Sequence, residues 1–310
     1  MLKRTGERDI CYFTTDNPQL TAELHLLKSY INFLLKSQNQ HGLHSPFVYD
    51  LVTKCFYDKK NYTGYKLLKE YRKDLLQNKQ TIEITDFGAG SRVFNSNSRK
   101  ISAIAKNAGI TKSRAELLYR LVNYLGANKV LELGTSLGIA TSALAANKKT
   151  AVTTMEGCPE TANIARQQFQ KFEFDNISLK IGKFEDVLEK EKMSEKWKVE
   201  SGQKKAERGN RKQEKRDTTN YKQQTNKYDL IFFDGNHQKQ PTLNYFYKLL
   251  PLAHNNSVFI FDDIHWSLQM EEAWEEIKNH TEVTVSIDTF YWGLIFFRKE
   301  QAKQHFVIRL

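Results

Sequence analysis

The chain has little cysteine and no long hydrophobic run, and both shortages exclude classes of protein. Its 310 residues contain only three cysteines, Cys11, Cys55 and Cys158. They are too few and too far apart for a disulfide framework or a Cys-X-X-Cys metal site, so we expect a reducing, cytoplasmic location. No apolar stretch approaches the ~20 residues of a transmembrane helix. The basic N-terminal sequence lacks the apolar core of a signal peptide, and we expect no membrane partner.

Positive charge is in excess but is unevenly distributed. The net charge of +11 suggests an acidic partner such as nucleic acid. Between Glu189 and Lys227, however, 13 Lys and Arg stand against 7 Asp and Glu, which accounts for +6 of the excess. This segment mixes both charge signs and is nearly free of aliphatic residues, so it cannot offset its ordering entropy by burial. We predict a disordered, solvated insertion at 189–227, and an arm that binds RNA is the alternative.

Strand and helix patterns alternate from Thr111 to Arg298. Several of the strands are apolar on both faces, which predicts a mostly parallel α/β sheet with helices on both faces. We expect seven strands in a Rossmann-like arrangement, with an antiparallel last strand. Ser113 and Glu116 form a possible capping box for the first helix of this region.

Helical spacing dominates the chain before this region. Apolar residues recur at helical intervals over Pro18–Lys36, Ser45–Phe56 and Leu67–Leu76. We therefore predict two units: an N-terminal helical module at 1–110 that caps the substrate, and a main domain at 111–310. A packed helical extension or a dimer surface is the alternative role for the module.

A glycine turn is the clearest functional motif. Val130–Gly138 reads VLELGTSLG, an apolar strand with an acidic residue near its end, then a tight turn and a helix. The middle glycine of the dinucleotide motif GxGxxG is missing, and no GK[ST] phosphate loop occurs. Glu156, at the end of the next strand, can accept both hydroxyls of a ribose. These features favour a cofactor with a sulfonium, an amino-acid tail and a ribose but no phosphate, with Glu132 and the turn amides facing the tail. A second acid-plus-glycine stretch, Asp86–Ser91, precedes polar residues rather than a helix, and we predict a loop there.

Five motifs in order carry a family resemblance. VLELGTSLG, VTTMEG, ISLKIGKFEDVL, YDLIFFDGNH and VFIFDDIHW resemble class I S-adenosylmethionine (SAM)-dependent methyltransferases, and most of all the metal-dependent O-methyltransferases of the catechol and caffeoyl-CoA type. The resemblance covers about Thr111–Arg298, interrupted by the insertion. It implies methyl transfer from SAM to a hydroxyl oxygen of a small molecule. It also implies a set of cofactor-binding residues: Glu132, Gly134, Thr135, Ser136 and Gly138 at the methionine part, Glu156 at the ribose, Lys183 and Phe184 at the adenine, and Asp234 beside them.

Acidic residues end two of the predicted strands. Asp234 follows one strand, and Asp262 with Asp263 ends another. Converging carboxylates raise each other's pKa, and a hard cation such as Mg²⁺ relieves this. The resemblance likewise implies a metal at these three residues, although the family commonly has Asp-Asn where this chain has Asp262-Asp263. Alternatively, the acids cap helices, Asp263 that near Ser267.

His237 follows Asp234 by three residues, where the catechol enzymes have a lysine base. A histidine titrates near neutral pH, so Asp234 and His237 are the predicted catalytic residues. His265 is a second candidate base or metal ligand, and either histidine has an ordinary loop role as its alternative. Two other functions stay open: an RNA or protein methyltransferase that captures its substrate with the basic insertion, and a non-catalytic SAM-binding protein.

Overall fold

The computed structural model describes residues 18–85, 96–189 and 227–310. Eight strands form the central sheet in the order β10-β8-β9-β7-β6-β3-β4-β5, and a two-stranded antiparallel sheet pairs β1 with β2. The strands are β1 (Thr81–Glu83), β2 (Ser98–Lys100), β3 (Lys129–Leu133), β4 (Ala151–Glu156), β5 (Ile177–Ile181), β6 (Leu230–Phe233), β7 (Val258–Asp262), β8 (Val285–Asp288), β9 (Trp292–Phe296) and β10 (Gln304–Val307).

Helices flank the sheet. A π-helical turn at Val52–Phe56 directly follows the helix Pro46–Leu51. They are α1 (Pro18–Lys36), α2 (Pro46–Leu51), α3 (Thr63–Gln77), α4 (Ile101–Asn107), α5 (Lys112–Tyr124), α6 (Ile139–Ala145), α7 (Pro159–Lys171), α8 (184–189), α9 (Lys239–Leu249) and α10 (Leu268–Asn279). None of these described helices combines the length and the hydropathy that crossing a bilayer requires.

Each face of the sheet packs against its own set of helices. Because successive side chains of a strand point to opposite faces, Val130 joins one hydrophobic cluster while Leu131 and Leu133 join the other. Residues of α2 to α7 belong to the first cluster, and residues of α8 to α10 belong to the second. The sequence prediction of an α/β sheet covered on both faces is confirmed.

Two details of the sequence prediction are wrong. The sheet has an eighth strand, β10, which pairs in parallel with β8; the antiparallel strand is β9, the last but one. Strand β10 is short and half exposed at the sheet edge, so it carries no hydrophobic run that a sequence pattern would reveal. The predicted capping box is also misplaced, because the Thr111 side chain caps α5 by accepting from the Arg114 amide.

The N-terminal helices share a core with the rest of the protein. Leu51 of α2, Tyr71 of α3 and Ile104 of α4 belong to the same buried cluster as Val130 and Leu144. Helices α1 to α3 confirm the predicted helical content of this region. The division at residues 110 and 111 stays a prediction. The predicted loop at Asp86–Ser91 lies outside the described residues, as does nearly all of the insertion predicted at 189–227.

This shared core makes a stability prediction. Leu51→Ala removes a side chain that is 0% exposed and should lower the free energy of unfolding by about 2–5 kcal/mol. The control Leu35→Ala alters a side chain that is 80% exposed and should change it by about 0.5 kcal/mol or less. Guanidinium chloride unfolding of the full chain measures both. Equal midpoints for the two variants would contradict a shared core.

Candidate active site

The predicted site residues converge at the carboxyl ends of the central strands. Strands β4, β3, β6 and β7 are neighbours and run parallel, so their carboxyl ends meet. In a sheet of this kind, ligands bind at those ends. Glu156, Asp234 and Asp262 end or follow three of these strands, and the glycine turn follows the fourth.

Close backbone contact fixes the glycine turn. Gly134 has φ +107°, and a Cβ built there would lie 1.9 Å from the Asp234 carbonyl oxygen. Gly138 has φ +78°, and its Cβ would lie 2.5 Å from the Tyr71 hydroxyl and from the Phe169 ring. Both positions favour glycine for its conformation and for its lack of a side chain. The turn is thus pressed against the end of β6 on one side and against α3 and α7 on the other.

Tyr71 braces this turn and was missed by the sequence reasoning. It is fully buried, and its hydroxyl donates to the Leu137 carbonyl oxygen at 2.9 Å. In the sequence it is one apolar position of an amphipathic helix. Nothing local distinguishes it, because the contact joins residues 66 positions apart.

Glu132 lies behind the turn and is fully buried. One carboxylate oxygen accepts from the Thr141 and Thr154 hydroxyls. The other has no hydrogen-bond partner among the described residues. Burial raises the pKa of Glu132 to about 8, against the effect of the two hydroxyls. An orphaned oxygen of this kind fits a ligand or a water that donates hydrogen bonds, which agrees with the predicted placement of a cofactor's amino-acid tail.

Glu156 connects the turn to the start of α7. Its Oε2 accepts from the Ser136 amide at 2.7 Å and its Oε1 from the Cys158 amide at 2.9 Å. Burial raises the pKa of Glu156 despite these bonds. The backbone therefore fixes the orientation of the carboxylate at the end of β4.

A cleft opens beside the turn. Thr135 and Ser136 line it together with Asp234. Its other wall comes from α4 and the residues that follow it, within the region predicted as the N-terminal module. These residues are Ile104, Ala105, Ala108, Gly109 and Ile110.

Phe184 lies against the other side of the site. A Cβ on Gly235 would be 3.0 Å from the Phe184 ring, and this ring meets Tyr245 edge-on at 5.6 Å between centroids. Lys183 immediately precedes it, and the Lys183 carbonyl accepts the Val187 amide in α8. The structure therefore brings Phe184 to the end of β6.

The strand-end acids form a pair rather than an open cluster. Burial raises the pKa of Asp234 well above its usual range, helped by the charge of Asp262 and a hydrogen bond to it. Asp263 has φ +55° and its charge raises the pKa of Asp234 further. Arg114, which the sequence reasoning missed, donates from Nη1 to Asp262 Oδ1 at 3.1 Å.

These carboxylates, as arranged, do not fit the predicted Mg²⁺ site. Asp234 and Asp262 bond to each other, and Asp262 already pairs with a guanidinium. No group of three or more His, Cys, Asp or Glu in the described part of the chain is arranged to hold a metal ion. The alternative role for Asp263, capping α10, is wrong, because Ser267 is the cap and accepts from the Met270 amide.

The two candidate histidines differ in their surroundings. His237 lines a second cleft with Gly235, Tyr245 and Asp262. By contrast, His265 has both ring nitrogens engaged, Nδ1 with Glu271 at 2.7 Å and Nε2 with Asp288 at 2.9 Å. A ring held between two carboxylates is a poor candidate for a base or a metal ligand.

His265 should make stability depend on pH. Burial opposes its charged form, but Asp288 and Glu271 outweigh this and raise the pKa of His265 above its usual value. A raised folded-state pKa stabilises the protein fully below the unfolded pKa of about 6.5 and less as the pH rises through the folded value. His265→Gln should therefore lower the free energy of unfolding more at pH 6 than at pH 9. Urea unfolding at both pH values measures this, and an equal loss would contradict a charged ring.

Known proteins are similar to this chain in one segment and in fold. Residues 131–264 match a family model described as a methyltransferase domain. No curated protein matches the chain. Three solved structures share 12 to 19% identity with it. SAH-bound methyltransferase PaMTH1 from Podospora anserina has 12% identity and a TM-score of 0.49, and the match covers 82% of this chain and 97% of that chain. The O-methyltransferase from Bacillus cereus in complex with SAH has 19% identity and a TM-score of 0.44, with 80% of this chain and 94% of that chain covered. The O-methyltransferase TomG from Streptomyces achromogenes in complex with SAM has 15% identity and a TM-score of 0.46, with 84% of this chain and 99% of that chain covered. Residues 131–264 are therefore similar to a methyltransferase domain.

Proposed function

We propose that this protein transfers a methyl group from SAM to a hydroxyl oxygen of a small molecule. The observation that carries the proposal is the turn after β3. Its backbone is pressed against Asp234, an orphaned carboxylate oxygen of Glu132 lies behind it, and Glu156 is fixed at the next strand end. This combination suits a ligand with a charged amino-acid tail and a ribose.

In this proposal, different residues around the turn bind different parts of the cofactor. Gly134, Thr135, Ser136 and Gly138 hold the methionine part, with Glu132 behind them. Glu156 accepts from the ribose hydroxyls. The Phe184 ring packs against the adenine, with Lys183 beside it.

When bound, SAM supplies an already activated methyl group on its sulfonium. The chain's own task is then to align an acceptor oxygen and remove its proton. We assign the removal of this proton to His237. This residue lines the same cleft as Asp262, and its ring accepts no hydrogen bond from another described residue. Asp234 borders the neighbouring cleft, next to the turn, and orients the acceptor. No step is assigned to a divalent cation.

Nucleic acid as a partner stays a prediction. Its sequence support is the basic insertion, most of which lies outside the described residues. Deleting residues 193–226 separates the two substrate classes, since small-molecule methylation should survive the deletion and capture of RNA should not.

We also propose a cytoplasmic location. Cys55 and Cys158 are free thiols, both buried, as expected in a reducing compartment. Burial raises the pKa of Cys55 to about 12, so this thiol stays protonated and inert at physiological pH.

Cofactor binding is the first test. Glu156→Gln should weaken SAH binding by about 10- to 100-fold, because hydrogen bonds to a charged group are worth about 1.5–3 kcal/mol. Titration calorimetry of the full chain with SAH measures this. Glu173→Gln, at an exposed position, is the matched control and should bind as the parent does. Unchanged binding by Glu156→Gln would place the cofactor elsewhere.

Catalysis by His237 is the second test. A screen of labelled methyl transfer into fractionated cell extract, with and without EDTA, identifies the acceptor. On that acceptor, His237→Ala should lower kcat by about 10²–10⁴-fold, the usual contribution of a general base, while SAH binding stays unchanged. The control His254→Ala alters a partly exposed ring that pairs with Asp229, and it should keep its activity. If His237→Ala turns over at the parent rate, His237 is not the base.

A further inference from the structure

Asp262 forms a largely buried ion pair with Arg114, at 3.1 Å between Nη1 and Oδ1. Its side chain is 7% exposed and that of Arg114 is 21% exposed. Few waters therefore compete for either group, and their attraction is stronger than that of a surface pair. Removing one partner of such a pair leaves an uncompensated charge.

Arg114 is held in place by contacts with three parts of the fold. It lies in the first turn of α5, whose start Thr111 caps. Its guanidinium pairs with the end of β7 and lies 5.0 Å from the ring centroid of Tyr291, in the turn between β8 and β9. A guanidinium stacks favourably on an aromatic face. The cation is therefore a fixed part of the site rather than a surface side chain that happens to be near.

A second guanidinium adds positive charge nearby. Arg72 donates to the Ile110 carbonyl oxygen at the edge of the cofactor cleft. Burial lowers the pKa of Arg72, and the charge of Arg114 lowers it further. A divalent ion placed beside the same carboxylates would have to overcome this repulsion.

We propose that Arg114 supplies the positive charge that the strand-end carboxylates require, in the place where related enzymes use a divalent ion. Arg114 is a positioning residue: it orients Asp262, and through Asp262 the bonded carboxyl of Asp234, beside the cofactor cleft. Methyl transfer by this chain then needs no divalent cation. The role of Arg114 in methyl transfer rests on the proposed function, but its balancing of the carboxylate charges can be tested without measuring catalysis.

The test is a titration of the full chain with Mn²⁺ as a paramagnetic probe of a Mg²⁺ site, followed by electron paramagnetic resonance. The parent should bind no stoichiometric Mn²⁺. Arg114→Met should gain a site, with an affinity higher on the order of 100-fold, since a unit positive charge is removed from beside the carboxylates. Adding Asp262→Asn to this variant should remove the site. Arg114→Lys keeps the charge and should behave as the parent.

Lys112→Met is the matched control. It removes a cation from the same turn of α5, but one whose side chain is 70% exposed and pairs with Glu116 rather than with Asp262. It should leave the titration unchanged. If Arg114→Met does not fold, as judged by circular dichroism, Arg114→Gln serves in its place, because glutamine can still donate to Asp262 without a charge.

Two outcomes overturn the inference. One is stoichiometric Mn²⁺ binding by the parent that Asp262→Asn abolishes. The other is an uncharged Arg114 variant that titrates like the parent. Failure of the proposed function would give a different result. The parent chain would then bind no SAH in calorimetry, whether or not it binds Mn²⁺. On an identified acceptor, a parent rate that EDTA leaves unchanged supports the inference, and a rate that EDTA abolishes opposes it.

Discussion

The contact between two backbones, at Gly134 and at the carbonyl of Asp234, is the constraint on which the site depends. There is no room for a Cβ between them. The turn after β3 therefore lies directly on the end of β6, and this places Asp234 in the wall of the cleft beside the turn. Any other residue at position 134 would push the turn away from β6. The amide of Ser136 would then leave Glu156, and the carboxylate that the neighbouring strand presents would lose its orientation.

Burial of several acids in one small region is the second constraint. Glu132, Glu156 and Asp234 all have raised pKa values, with burial as the first cause in each case. The protein offsets the unfavourable burial of these carboxyl groups in different ways. Hydroxyls satisfy one oxygen of Glu132, backbone amides hold Glu156, and a second carboxyl bonds Asp234. Asp262, to which Asp234 bonds, receives a full positive charge from Arg114.

Patterns within single strands and turns predicted the fold and which residues meet at the carboxyl ends of the strands. The apolar strands, the spacing of Gly134 and Gly138, and the acids at strand ends are all local features, and the parallel sheet then brings the strand ends together. The contributions of Tyr71 and Arg114 could not be read in the same way. Each comes from a helix that precedes the glycine turn, and each acts through one contact across a long stretch of chain. Strand β10 was missed for a related reason, since an edge strand that is half exposed needs no hydrophobic pattern.

The charges at this site show in the sequence as acids alone. Three acids at strand ends suggest a metal when only their own sequence positions are considered, because a cation must balance them. The sequence does not say whether that cation is an ion or a side chain, since the answer depends on which helix is packed over the strand ends. Here α5 places a guanidinium there. Asp262 borders the cleft of His237 and bonds to Asp234, which borders the cleft of the turn. A single arginine therefore holds Asp262, and through Asp262 the carboxyl of Asp234, so one side chain bears on a residue of each cleft.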